Sequence, residues 1–174
     1  MASNADSSIP DVSLARSLAG VRIVGVAGAK VDDVNGLVAG LSKLGKFQVM
    51  DARCVLGEEH VRFACFEALR SFKSGQNVTS SLPMEMLVKA ACTTQISEAI
   101  ARIGVKGGCR EVVLVAVEAD DEAVSKAVAL LGGRISSRPL KASRAKRARI
   151  KKLFSLSEPV EKALLEGIAL SSVG

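Results

Sequence analysis

At 174 residues and 48% hydrophobic composition, the chain has the length of one ordinary domain and enough apolar content to bury about 70% of its unfolded surface, which excludes a disordered or fibrous polypeptide. With five Phe residues and no Trp or Tyr, a function built on aromatic stacking platforms is poorly supplied. The net charge of +6 is unevenly spread, because no acidic residue stands between Arg134 and Lys152, and this directs acidic partners, nucleic acid first, to one end of the molecule.

The first nineteen residues are polar and lack an apolar stretch, so residues 1–19 are expected to be a flexible leader, not a signal peptide, ahead of one domain over residues 20–174. Val21 to Val26 reads as a strand running into the turn at Gly28. The period then changes: Val34, Leu37, Val38, Leu41 and Leu44 recur at helical spacing until Gly45. Phe47 to Met50 reads as a second strand. A long amphipathic helix follows, with Val61, Ala64, Cys65, Ala68, Leu69 and Phe72 on one stripe and Glu58, Glu59, Arg62, Glu67 and Arg70 opposite.

Ser74 to Ser81 is a loop, and Pro83 suits the first turn of a helix from Met84 to Ala91. Thr93 and Thr94 can cap the next helix, whose face is Ile96, Ala99, Ile100 and Ile103. Val112 to Val117, the longest apolar run, is far too short to cross a bilayer and predicts a strand buried on both faces. Asp120 caps a helix that ends at Gly132 and Gly133. A short strand near Ile135 or Leu140 and two closing helices, Ser143 to Phe154 and Glu158 to Leu170, complete the chain. The expected class is α/β of the mixed α+β kind: one small mixed sheet of about four strands surrounded by helices, with a C-terminal helical pair.

Catalytic candidates are thin. His60 is the single histidine, at the start of the long helix, and packing or capping explains it better than proton transfer. Cys54, Cys65, Cys92 and Cys109 are widely spaced with no CxxC pair, which fits buried reduced thiols and gives no zinc site. Gly25 and Gly28 complete neither GxGxxG nor a phosphate-cradling loop. Glu58-Glu59 and Asp120-Asp121-Glu122 fall in first turns, where the helix dipole accounts for them. No catalytic residue, metal, cofactor or small-molecule substrate is therefore assigned. The basic stretch remains: Arg144, Lys146, Arg147, Lys151 and Lys152 flank an apolar face of Ala145, Ala148, Ile150, Leu153 and Phe154, which suits a docked helix with cations outward, either solvated or bound to phosphates.

Four segments resemble the kinase-binding regulatory subunit of the KEOPS complex, the PRPK-binding protein family, in its archaeal type. They are VRIVGVAGAKV from Val21, FQVMDARCVLGEEHVRFACFEAL from Phe47, SLPMEMLVKAACTTQISEAIARIGVK from Ser81 and EKALLEGIALSS from Glu161. The third is the most specific, with Met84-Glu85, Leu87-Val88, Lys89-Ala90, Gln95-Ile96 and Glu98-Ala99-Ile100 in the family's order. The resemblance implies a sheet with surrounding helices, a non-catalytic cytoplasmic subunit that binds the N-terminal lobe of the small KEOPS kinase or ATPase, and contact with the 3′ CCA end of tRNA in support of threonylcarbamoyladenosine formation. Lys89 stands where relatives carry a basic residue, and Thr94 where archaeal relatives often carry Arg.

These readings place kinase contacts at Met84, Met86, Leu87 and Leu170, since adjacent Met86 and Leu87 diverge by about 100° on a helix and are not expected to share one core. RNA contacts are expected at Lys89, Arg144, Lys146 and Arg147, with Thr93, Thr94 and Gln95 around the terminal bases. A free-standing basic RNA-binding module without a kinase partner is the alternative, and an enzyme using His60 or Cys chemistry a third reading.

Overall fold

The computed structural model describes residues 18–172. Its centre is strand β3 (Glu111–Val117), whose last six residues are all buried, as the unbroken apolar run predicts. Strands β1 (Val21–Ala27), β2 (Lys46–Asp51) and β4 (Arg134–Ile135) complete a sheet of order β2-β3-β1-β4. Register runs Val21↔Val117 to Ala27↔Glu111 on one side of β3 and Lys46↔Val117 to Asp51↔Val112 on the other, with Val26↔Ile135 joining β4 to β1.

Every pair is antiparallel, which corrects the strand directions expected of a mixed sheet, while the α+β class and four strands stand. The cause lies in the insertion of β3. β1, helix α1 (Val34–Leu44) and β2 read as a βαβ unit, and β1 and β2 do run in the same sense, but β3 lies between them and opposes both.

The period-2 alternation of β3 divides the core. Val113, Val115 and Val117 face α2 (Glu58–Ser74), α3 (Leu82–Ala90), α4 (Ile96–Ile103), α6 (Arg144–Leu153) and α7 (Val160–Leu170). Val112, Leu114 and Ala116 face α1 and α5 (Asp121–Leu131). Side-chain caps start four helices: Asp33 accepts from the Gly36 amide, Ser81 from Met84, Asp120 from Ala123 and Ser143 from Lys146. Gly25 has a packing role, since a Cβ there would stand 2.2 Å from the Ser136 carbonyl oxygen, and its absence lets the 138–140 turn close onto β1.

Of the leader expected over residues 1–19, residues 1–17 lie outside the described residues. Leu18 packs against the core and accepts the Val21 amide at 3.0 Å. Among the described residues no helix is long and apolar enough to cross a membrane.

Candidate functional site

Helix α3 carries the residues that the sequence marks most strongly for partner contact, and the fold encloses it. It packs against α2, α4 and β2, so the six consecutive residues Glu85 to Ala90 are all buried. Met86 has no exposed surface, Leu87 and Lys89 are 1% exposed, and Met84, with Leu82 and Pro83 at the open first turn, keeps partial exposure. This corrects the placement of Met86, Leu87 and Lys89 at partner surfaces: a 100° divergence does not force one of two neighbours outward when apolar layers surround the whole helix.

Lys89 is occupied inside. Its ammonium donates to the Ser171 carbonyl at 3.2 Å and lies 3.6 Å from Glu85. Glu85 in turn accepts the Val78 and Thr79 amides at 3.1 and 2.9 Å. One helix thus fixes both the 76–81 loop and the end of α7, with both charges paired and hydrogen-bonded as burial requires. Its last carbonyls are satisfied too. The His60 Nε2–H donates to Ala90 O at 2.8 Å, and Arg102 donates to Ala91 O at 2.9 Å.

His60 also accepts the Leu56 amide at Nδ1, 3.1 Å away, so both ring nitrogens are committed. Burial lowers its pKa to about 4, against the opposing pull of the Ala90 carbonyl. Neutral, enclosed and edge-on to Phe154, it is a structural ring. Burial likewise pushes the Cys65 and Cys92 thiols up to about 12 and raises Cys54 and Cys109, so the thiol form dominates at all four.

What the α3 hub presents to solvent lies at its rim. Val78, on the loop held by Glu85, is 46% exposed, and Leu170, one residue before the carbonyl that Lys89 holds, is 72% exposed. Through Glu85 and Lys89 the two apolar side chains are anchored to one rigid helix, an arrangement suited to an apolar contact with a partner.

The basic end is more finely divided than its sequence. Arg147 is paired with Glu161 at 2.5 Å and Lys151 with Glu158 at 2.9 Å, fastening α6 to α7. Lys146 donates to the Pro139 carbonyl at 2.5 Å and is half-buried, and that burial lowers its pKa. Arg144, Arg149 and Lys152 are exposed and form no ion pair among the described residues. A neighbouring group escaped the sequence reading. Arg53, Lys106 and Arg149 lie close enough to act on the Cys54 thiol, around the 3-10 turn Ala52–Cys54 on which α6 packs. Arg53 forks onto buried Asp51 at 3.1 and 2.8 Å. Burial works against the Asp51 charge, but those bonds and the Arg53 charge outweigh it and hold the carboxyl below its usual range. No sequence signal joined these cations, which come from three separated segments.

Around the start of α4, Thr93 is buried, its hydroxyl bonded to Glu98 at 2.5 Å and to the Gln95 amide at 3.1 Å. Thr94 and Gln95 are exposed. The far end of α6 meets α4, where Arg102 lies over Phe154, and Arg144 is about 15 Å away along the ten-residue helix.

The described residues thus form a buried scaffold with an apolar rim and a basic side. A family described as kinase binding protein CGI-121 matches residues 30–173, so that among the described elements only β1 precedes the match. The chain is similar to the regulatory protein Cgi121 of Methanocaldococcus jannaschii, 32% identical over 151 residues that cover 85% of this chain and 94% of that protein. A match of this extent shows that the chain belongs to the CGI-121 family of kinase binding proteins.

Proposed function

We propose that this chain is a non-catalytic, kinase-binding regulatory subunit of a KEOPS-type assembly in the cytoplasm, supporting threonylcarbamoyladenosine formation on tRNA. Family membership over residues 30–173 is the observation that carries the reading. The partner is the small kinase or ATPase of that assembly, engaged by its N-terminal lobe. The rim around Val78 and Leu170 supplies the kinase contact, because both side chains are apolar, exposed and anchored to buried Glu85 and Lys89.

The tRNA acceptor end is taken up on the basic side. Arg144, Arg149 and Lys152 supply phosphate contacts, since their charges are not spent on ion pairs among the described residues. Selectivity for the terminal bases needs a different device, because phosphates carry no sequence. Exposed Thr94 and Gln95 are the polar groups proposed for it.

Co-expression with the KEOPS kinase from the same source tests the reading. The two proteins should co-purify at high salt, and Leu170→Glu should release the kinase. Failure of the unaltered pair to co-purify, with tRNA binding retained, would replace the proposal by a free-standing RNA-binding module.

A further inference from the structure

A groove of about 830 Å³ runs along the outer edge of β2, with neither Leu170 nor any residue of the basic stretch in its lining. Its walls belong to opposite faces of the sheet: Val38 and Leu41 of α1 stand on one side, Leu82 and Met84 at the start of α3 on the other, and Phe47 to Val49 form the floor. Ile100 of α4 closes one flank. Both helical layers therefore overhang the sheet beyond its last strand.

β2 is the edge strand, with β3 on its inner side from Lys46 to Asp51. On its outer side, among the described residues, it meets another backbone only at Met50, where Gly104 forms an isolated antiparallel bridge. Lys46 to Val49 thus border the groove. An edge of this kind is a template for one further strand. Its neighbours are unusually apolar for solvent, with Val38 51% and Ile100 47% exposed.

The lining decides the occupant. Lys46 is its single charge, in a loose 3.5 Å pair with Glu118 in which both side chains are largely exposed. One cation cannot neutralise a run of phosphates, which argues against nucleic acid. A second copy would bring the same overhung edge, and the two pairs of helices would meet before the strands could. We propose that the groove receives an extended segment of another protein, added as a strand beside Lys46–Val49. Alternate apolar side chains enter toward Val38 and Met84, and a carboxylate at one end replaces Glu118 on Lys46. Main-chain bonds would hold the segment, and the two walls would select its side chains.

The test pans a displayed library of random ten-residue peptides on the whole chain. Enriched peptides should alternate apolar residues beside an Asp or Glu, and the synthesised peptide should slow exchange of the amides of Lys46 to Val49 that face away from β3. Its affinity should fall at least tenfold in Val38→Glu and in Lys46→Glu, while Leu170→Glu leaves it unchanged. Both altered positions are exposed, so thermal unfolding should match the unaltered chain. If Val38→Glu fails to fold, Ile100→Glu replaces it. Absence of enrichment, peptides insensitive to these variants, protection confined to other strands, or a peptide-free dimer protecting the same outward-facing amides would each overturn the proposal. Because Leu170 lies outside the groove, loss of kinase binding with intact peptide capture would implicate the kinase reading alone.

Discussion

Helices α3 and α6 look alike as candidates: each follows a loop, begins at a Ser cap and mixes apolar with charged residues. The fold treats them oppositely. α3 is walled in by α2, α4 and β2, and its Glu85 and Lys89 serve each other and nearby backbone. α6 lies against the surface with Ile150 inward, and its cations pair with Glu158 and Glu161, bond to the Pro139 carbonyl or face water. A charge on a helix therefore becomes a ligand contact or a strut according to what encloses it, and the two cases respond differently to substitution.

The largest effect should come from α3. Glu85→Ala leaves buried Lys89 without its carboxylate and the Val78 and Thr79 amides without their acceptor, and should destabilise the fold by about 3–5 kcal/mol in urea unfolding. An equivalent effect from Glu161→Ala on the surface would erase the distinction between the helices.

His60, which caps α3, should give the next largest effect, and it depends on pH. Its pKa is lowered from 6.5 to about 4, so the unfolded chain binds the additional proton between those values. The contribution of the neutral ring is complete above the unfolded pKa and is lost as pH falls toward 4, by about 3 kcal/mol in all. Unfolding free energies of the unaltered chain and His60→Gln, measured across this window, should converge as pH falls. Parallel curves would mean that the ring is not held neutral.

At the rim, Leu170→Glu should weaken kinase binding at least tenfold by calorimetry while changing stability by less than about 0.5 kcal/mol, since the side chain is 72% exposed. The smallest change should be on α6. Arg144→Ala and Arg149→Ala should each reduce the slope of log K against log salt for tRNA by roughly 0.7 to 0.9. Arg147→Ala, already paired with Glu161, should change that slope little and stability by about 0–1 kcal/mol.

The elements themselves were legible because their signals are local. The stripe Val61, Ala64, Cys65, Ala68 marked α2, and Asp120 and Ser143 marked helix starts that the fold confirms. The short strand expected near Ile135 forms there, whereas Leu140 ends a 3-10 turn. The candidate contacts were less legible. Met86 and Lys89 were placed outside because helical period tells which residues share a face, not how many faces are covered. Arg53 and Lys106 were overlooked because nothing in their neighbouring residues points to α6.

The chain's sequence determined its class, its helices, its buried central strand and, through resemblance, its family, because periodicity, caps and motif order are written within a few residues of one another. Strand order, the antiparallel sense set by β3 between β1 and β2, the enclosure of α3 and the groove along β2 were decided by the tertiary structure. Each depends on which segments, distant in the chain, come to lie side by side, and burial and hydrogen bonding choose that arrangement only when all the layers pack at once.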